Sequence, residues 1–296
     1  MTELLTRVKS RMFIRANRKV LGLLDGQYAS LTRGRSMEFE DLRAYVAGDE
    51  VKDIDWKATA RHGSPLVRNF SANRQHEVVF VIDSGRNLAA LSASGEPKRD
   101  LAILVTGVLG FLSLRHGDRT SVLHGNAAGF TRLRPASTEG QLENLLRAVN
   151  VAGSLTGPQS DTVGLLRFAL QSIKRRSIVV VIADDVQMDP AVEEATRLLQ
   201  SRHEVLWCTL ADAHLVAGVG AGRTMFDVEE SWSIPEFLRG NRRLMADFDA
   251  AASQRDQAST DALDALGISH VRVASQGTVV TDLLTMLGRR ARARRR

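Results

Sequence analysis

One segment of the chain concentrates carboxylates, guanidinium groups and aromatic rings, the side chains best suited to catalysis or binding. It contains Arg43, Tyr45, Gly48, Asp49, Asp53, Asp55, Trp56 and Arg61. Two carboxylates in a short stretch can serve as a general acid and a general base. They can equally pair with the arginines beneath an aromatic anchor, or flank aromatic hot spots in a protein interface. Structural pairing is favoured here, followed by an interface and then by catalysis.

Other catalytic patterns are missing from the sequence. The chain contains no His-Glu-x-x-His, no Gly-x-Ser-x-Gly and no glycine-rich loop ending in Lys-Ser or Lys-Thr. These are the signatures of metalloproteases, serine hydrolases and phosphate-binding loops. The seven histidines are scattered without metal-ligand spacing. We therefore predict a protein that is not an enzyme.

Charge is distributed unevenly along the chain, which holds 40 Lys and Arg residues against 34 Asp and Glu residues. The N-terminal segment is basic and the main body is mildly acidic, while the C-terminal tail is strongly basic. The tail arginines are Arg289, Arg290, Arg292, Arg294, Arg295 and Arg296. Such a tail attracts nucleic acid or anionic lipid through counterion release. A solvated, disordered end without a specific partner is an equally good interpretation of the same pattern.

The single cysteine, Cys208, excludes a disulfide within the chain and agrees with a reducing compartment. The N-terminus has no apolar signal region. The longest apolar stretch, from Leu101 to Leu114, is shorter than the ~20 residues that a membrane span needs. The sequence therefore predicts a soluble, cytoplasmic protein.

Residues 1–75 form the first of three predicted regions. A basic amphipathic helix is expected over residues 1–24, because Leu5, Val8 and Met12 recur at helical spacing. Residues 25–75 carry glycines and a proline between short strand-like pieces, such as the one from Leu66 to Phe70. We expect this part to be irregular.

The second predicted region, residues 76–288, alternates between strands and helices. Val78–Ile82 and Ile178–Ile182 are continuous apolar runs, which are typical of strands buried on both faces. The helices expected around them include Pro97–Gly117, Pro235–Leu266 and Val279–Leu287. This order predicts an α/β fold, a mostly parallel sheet with helices on both faces. Residues 289–296 follow as a disordered, arginine-rich tail.

Two motifs resemble a known family. The first is Arg43-Ala44-Tyr45-Val46-Ala47-Gly48-Asp49, followed by Ile54-Asp55-Trp56, and the second is Val81-Ile82-Asp83-Ser84-Gly85. Together they resemble the bacterial domain-of-unknown-function family 58, whose members have a von Willebrand factor A-like fold. The resemblance makes Arg43, Gly48 and Arg61 structural residues of the motif. It also implies a partner, since members are typically encoded beside AAA+ ATPases of the MoxR type.

The resemblance in fold implies a divalent-cation site at the carboxyl ends of the strands. Such sites contain an Asp-x-Ser-x-Ser loop, and Asp83 matches its first position. The third position is Gly85, which has no side-chain oxygen, and the fifth is Asn87, which offers only an amide oxygen. The loop therefore departs from the pattern at two positions.

The remaining ligands of that site come from later loops. Either Ser160 or Thr162 supplies the hydroxyl, and the sequence does not choose between them. Asp184, after the second buried strand, matches the second acid. A degenerate site, whose acids cap loops or pair with Arg86, is favoured over a site that binds Mg²⁺.

The combined prediction is a non-enzymatic interaction or adaptor module that acts with a MoxR-type ATPase in assembly, maturation or stress response. The predicted contact residues are Asp83, Gly85, Arg86, Asn87 and Asp184 at one surface, and Tyr45, Asp49, Asp55 and Trp56 at another. The alternative is a binder of nucleic acid or membrane lipid that uses the tail and the N-terminal helix. The sequence leaves two alternatives for a cofactor, either none, which is favoured, or one divalent cation such as Mg²⁺ at the degenerate site.

Overall fold

A six-stranded sheet forms the centre of the protein. The computed structural model describes residues 3–15, 18–33, 38–46, 48–71, 75–213, 228 and 241–293. The sheet has the order β5-β4-β3-β6-β7-β8. Its strands are β3 (Glu77–Asp83), β4 (Arg119–Asn126), β5 (Gly129–Arg132), β6 (Ile178–Ala183), β7 (Glu204–Leu210) and β8 (Ser269–Val273). The β4–β5 pair is antiparallel and the other pairs are parallel, which confirms the predicted mostly parallel sheet.

The two apolar runs identified in the sequence are the two central strands. β3 and β6 pair in register from Val78 with Ile178 to Ile82 with Ile182. Their side chains are buried over those stretches, because helices cover both faces of the sheet. Neither strand could alternate between apolar and polar residues without placing a polar group in one of the two cores.

The described ranges contain nine α-helices. They are α1 (Glu3–Arg15), α2 (Arg18–Arg33), α3 (Trp56–His62), α4 (Lys98–Arg115), α5 (Glu139–Ala152), α6 (Thr162–Ser172), α7 (Pro190–Arg202), α8 (Arg242–Ala265) and α9 (Val279–Ala293). Helices α1, α2, α4, α5 and α9 build the core on one face of the sheet. Helices α6, α7 and α8 build the core on the other face, so the prediction of helices on both faces is confirmed.

The prediction of one helix over residues 1–24 is wrong. The region forms two helices, and the second, α2, continues to Arg33. Its buried residues Leu24, Tyr28 and Leu31 continue the helical spacing beyond residue 25, where the irregular part was predicted to begin. Both helices pack into the same core as α4, so this part of the N-terminal segment belongs to the main fold.

The predicted boundary of the arginine tail is also wrong. Helix α9 does not end at Leu287 but continues through Ala293. The Arg290 guanidinium pairs with the buried carboxylate of Glu204, which fixes this turn against β7. Arg289 and Arg292 are therefore helical as well, whereas Arg294, Arg295 and Arg296 lie outside the described residues.

A second, small sheet follows α2. β1 (Glu38–Ala44) pairs antiparallel with β2 (Leu66–Ser71), and α3 lies between them in the sequence. The strand-like piece predicted from Leu66 to Phe70 is β2. Ile54, Leu66 and Val67 are buried in this unit, which also contains Tyr45 and Trp56.

Candidate functional site

The carboxyl edge of the main sheet is where open parallel sheets place their ligands. Asp83 ends β3, and Asp184 directly follows the neighbouring strand β6. The chain after β3 enters α4 on one face of the sheet, and the chain after β6 enters α7 on the other. The two acids therefore lie on either side of the switch point of the sheet, as the resemblance implies.

The Asp83 carboxylate closes the turn that follows β3. One oxygen accepts a hydrogen bond from the Thr162 hydroxyl at 2.7 Å, and the other accepts from the Gly85 backbone N–H at 3.1 Å. Burial raises the pKa of Asp83, and the hydroxyls of Thr162 and Ser160 counteract part of that rise. The structure thus brings both candidate hydroxyls to Asp83 and does not require a choice between them.

Gly85 is buried because Ser160 packs directly on its backbone. A Cβ atom at this position would lie 2.3 Å from the Ser160 Oγ and 2.6 Å from its backbone nitrogen. A ligating side chain at the third position of the loop therefore has no room. The prediction of Gly85 as a contact residue is wrong, and Asp83 is buried too; of this turn, Arg86 and Asn87 are half-exposed.

Gly85→Ala is expected to lower the free energy of unfolding by about 1–3 kcal/mol, because the new methyl group overlaps the Ser160 backbone. Gly22→Ala is the matched control. A Cβ at Gly22, inside α2, meets nothing within 4 Å, and it should be neutral or stabilise the protein by about 0.5–1 kcal/mol. Urea unfolding measures both, and equal stability of the two variants would contradict the close approach at Gly85.

Asp184 has a partner that the sequence analysis did not consider. The Lys98 ammonium lies 2.5 Å from an Asp184 oxygen and 2.8 Å from an Asp212 oxygen. Lys98 is 1% exposed, and lysine is almost never fully buried unless it is paired. The expectation that the acids pair with Arg86 named the wrong cation for Asp184. The sequence around it, Lys98-Arg99-Asp100, does not distinguish Lys98 from an exposed lysine at the start of a helix.

The protonation of this cluster follows from its burial. Burial raises the pKa of Asp184 to about 7, with Asp212 adding to the rise and Lys98 opposing it. Burial alone lowers the pKa of Lys98, but the two carboxylates outweigh burial and raise it above its ordinary value. Lys98 is therefore charged at neutral pH.

These contacts do not suit a divalent cation. Both Asp83 oxygens hold the turn, Gly85 leaves no space for a ligand, and Asp184 faces an ammonium group. Across the parts of the chain that the structure describes, no three His, Cys, Asp or Glu side chains form a metal-binding group. At the fifth loop position, the backbone carbonyl of Asn87 accepts a hydrogen bond from the Ala90 N–H at 3.0 Å.

Arg43, Gly48 and Asp49 of the first sequence motif belong to a hydrogen-bonded turn after β1. Arg43 donates to both Asp49 oxygens, at 2.8 and 2.6 Å, and Asp49 also accepts from the Val46 N–H at 2.9 Å. The hydrogen bond from Arg43 is the main reason why the pKa of Asp49 falls to about 2. Gly48 permits the turn, since its φ of 115° lies in the region that favours glycine.

Asp55 has a different structural role, because it caps the N-terminus of α3. Its carboxylate accepts from the Lys57 N–H at 3.1 Å and from the Ala58 N–H at 3.0 Å. Gly63, with a φ of 80°, ends the helix, and Arg61 lies exposed in the last turn. Asp49 and Asp55 therefore stabilise local structure separately, each through its own hydrogen-bond donors.

The aromatic residues of this segment face solvent. Trp56, the first residue of α3, is 64% exposed, and Tyr45 is 39% exposed. Val46 and Val51 are exposed beside them in the sequence. The sequence offered two interpretations of these rings, an anchor above Asp–Arg pairs or the hot spots of an interface. Exposed large apolar side chains that lie close in the sequence favour an interaction surface. We call Tyr45, Val46, Val51 and Trp56 the aromatic cluster.

The apolar face of the basic N-terminal helix, α1, packs against the rest of the fold. Leu5, Val8 and Met12 of α1 are buried in the main core. Lys9 pairs with Glu139 at 2.6 Å. The apolar face that a membrane-surface helix would need is thus covered. Within the described ranges, no helix combines the length and the apolar character that a membrane crossing demands.

The fold is an α/β domain with a mostly parallel six-stranded sheet, similar to von Willebrand factor A folds, to which a small second sheet is added. More specifically, the chain belongs to the family described as protein of unknown function DUF58, whose model matches residues 41–259. It is similar to uncharacterized proteins of Mycobacterium tuberculosis and Mycobacterium bovis. Each is 31% identical over 225 residues, which cover 74% of this chain and 69% of the relative.

Two solved structures are similar to the chain. One is an aerotolerance-related membrane protein from Bacteroides fragilis, with 15% identity and a TM-score of 0.43, covering 72% of this chain and 99% of that one. The other is a von Willebrand factor type A protein from Catenulispora acidiphila, with 12% identity and a TM-score of 0.38, covering 75% of this chain and 43% of that one.

Proposed function

We propose that the protein is a non-enzymatic interaction module that docks a partner protein through the aromatic cluster. The observation that carries the proposal is the exposure of Trp56. Tryptophan and tyrosine are enriched among the few residues that supply most of the binding energy of an interface. A folded domain that keeps a tryptophan in solvent forgoes the stabilisation that burial of this ring would provide.

The scaffold beneath the cluster is ordered before binding. Asp55 and Gly63 define the two ends of α3, which begins with Trp56, and the Arg43–Asp49 pair holds the turn next to Tyr45. Fixing contact residues in advance reduces the entropy lost on binding, so a small apolar surface can bind more tightly. In this proposal Asp49, Asp55 and Arg43 act by positioning the aromatic rings.

The proposed partner is an AAA+ ATPase of the MoxR type, and the process is assembly, maturation or stress response. This part rests on the family's typical genetic neighbourhood. The aromatic cluster fits such a role, because its exposed apolar side chains alternate in the sequence with the charged residues Lys52, Asp53 and Lys57. In this proposal the half-exposed Arg86 and Asn87 at the sheet edge form a secondary contact, whereas the buried Asp83 and Gly85 do not.

Trp56→Ala is expected to weaken binding of the MoxR-type ATPase from the same genome at least about tenfold, which corresponds to 1.4 kcal/mol. Leu198→Ala, an exposed apolar residue on α7, is the matched control and should bind like the wild type. Calorimetry with the two purified proteins measures the effect, and circular dichroism checks the fold. Unchanged affinity of Trp56→Ala would refute the aromatic docking surface.

The identity of the partner needs a separate experiment. A photo-crosslinking amino acid at position 45 in the native cell, read by mass spectrometry, should trap the ATPase. Trapping another protein reproducibly, with loss of the crosslink in the Trp56→Ala background, would retain the docking surface and reject the ATPase. Crosslinks to lipid or nucleic acid would favour the alternative function.

A further inference from the structure

The buried Lys98 ammonium joins three loops at the carboxyl edge of the sheet. Lys98 is the first residue of α4, which follows β3, while Asp184 follows β6 and Asp212 follows β7. These three strands are consecutive neighbours in the sheet. The ammonium therefore connects three loops at the edge of the sheet where the fold resemblance implies a divalent cation.

The surrounding contacts bury the ammonium, while the Asp212 side chain stays 52% exposed. Lys98 is 1% exposed, and the Asp184 side chain is 14% exposed. The neighbouring carboxylate of Asp185 accepts from the Asp212 N–H at 3.0 Å and pairs with Arg272. Asp184, Asp185 and Asp212 thus each have a cation supplied by the chain. An ionised carboxylate that is buried without a partner is strongly disfavoured, so Asp184 needs a positive charge beside it. The Lys98 ammonium supplies that charge, which a metal ion would otherwise supply.

We propose that the Lys98 ammonium replaces a divalent cation at this edge, so that the loops at the carboxyl edge of the sheet are held together without a metal. Two further contacts support the proposal. Ser160 fills the space of the third loop position, and the Asp83 oxygens are bonded to Thr162 and Gly85. The proposal concerns the sheet edge and holds whether or not the aromatic cluster docks a partner.

The first test is a Mn²⁺ titration of the purified full chain, followed by electron paramagnetic resonance, together with thermal unfolding at millimolar Mg²⁺. The wild type should bind no Mn²⁺ at the edge, and its melting temperature should not change. Stoichiometric Mn²⁺ binding that disappears in Asp184→Asn would overturn the proposal.

The second test removes the ammonium. Lys98→Met should melt about 10 °C below Lys52→Met, which removes an exposed lysine that pairs with Glu50. Lys98→Met should also gain Mn²⁺ binding, and adding Asp184→Asn should abolish the gain. A Lys98→Met protein that is as stable as Lys52→Met, or that is destabilised but takes up no Mn²⁺, would overturn the proposal.

The experiment remains decisive if Lys98→Met does not fold. The variant Lys98→Met/Asp184→Asn/Asp212→Asn removes the charges of all three partners together and should recover a folded protein. Its recovery, with a wild type that binds no Mn²⁺, supports the proposal. Failure of this variant to fold would show that the site needs more than charge balance and would overturn the proposed role.

Discussion

Trp207→Ala is expected to lower the free energy of unfolding by about 3–5 kcal/mol. Trp207 is 1% exposed in β7, where it pairs with Val181 on one side and His270 on the other. Its ring belongs to the core that also contains Leu199 and Leu263. Removing the ring leaves a large cavity between the sheet and the helices α7 and α8, and close-packed neighbours can fill it only in part.

Denaturant unfolding measures this loss as a shift of the midpoint. Val151→Ala is the control, because Val151 is 78% exposed and should change stability by less than about 0.5 kcal/mol. A Trp207→Ala protein within 1 kcal/mol of the wild type, roughly the cost of an average substitution, would mean that the core on this face is not packed as described. A changed slope of the unfolding curve would instead point to an altered denatured state.

The sheet could be predicted because its signal is local. The runs from Val78 to Ile82 and from Ile178 to Ile182 are each long enough for one strand, and a continuous apolar run requires helices on both faces. The position of Asp83 and Asp184 at neighbouring strand ends then followed from parallel pairing. The family resemblance added the expected cation loop but not the contacts within it.

The contacts that decide the chemistry of the edge are not local. Lys98 and Asp184 are separated by several elements, and nothing near Lys98 in the sequence indicates that its ammonium is buried. The close packing of Ser160 on Gly85 likewise depends on a loop far along the chain. Sequence reasoning identified the departures from the cation pattern, but only the tertiary structure shows what replaces the missing ligands.

The segment from Arg43 to Arg61 was predicted with less detail. The expected pairing of carboxylates with arginines holds for Asp49, which binds Arg43, whereas Asp55 caps a helix through backbone N–H groups. Tyr45 and Trp56 were proposed both as an anchor over these pairs and as contact residues, and they are exposed. Because the small sheet lies outside the two main cores, the rings have no core to enter. Of the two predicted contact surfaces, the one at Tyr45 and Trp56 is the more exposed, because Asp83 and Gly85 at the sheet edge are buried.

Glu143→Ala should release the N-terminal helix and lower stability by about 2–4 kcal/mol, because two backbone donors lose a buried acceptor. The Glu143 carboxylate accepts from the Leu5 N–H at 2.8 Å and from the Leu4 N–H at 3.2 Å. Burial raises the pKa of Glu143, but these bonds and the one from Arg147 outweigh burial and lower the pKa below its ordinary value of 4.5.

The lowered pKa makes the attachment of α1 dependent on pH. The stabilisation is present above pH 4.5, the ordinary value, and is lost as the pH falls through the lower pKa of the folded protein. Wild-type stability should therefore drop more steeply in acid than that of Glu143→Ala. Glu139→Gln, which alters an exposed pair on the same helix, should keep the wild-type profile. Amide exchange at Leu4 and Leu5 locates the loss, and identical acid profiles of Glu143→Ala and the wild type would disprove the attachment.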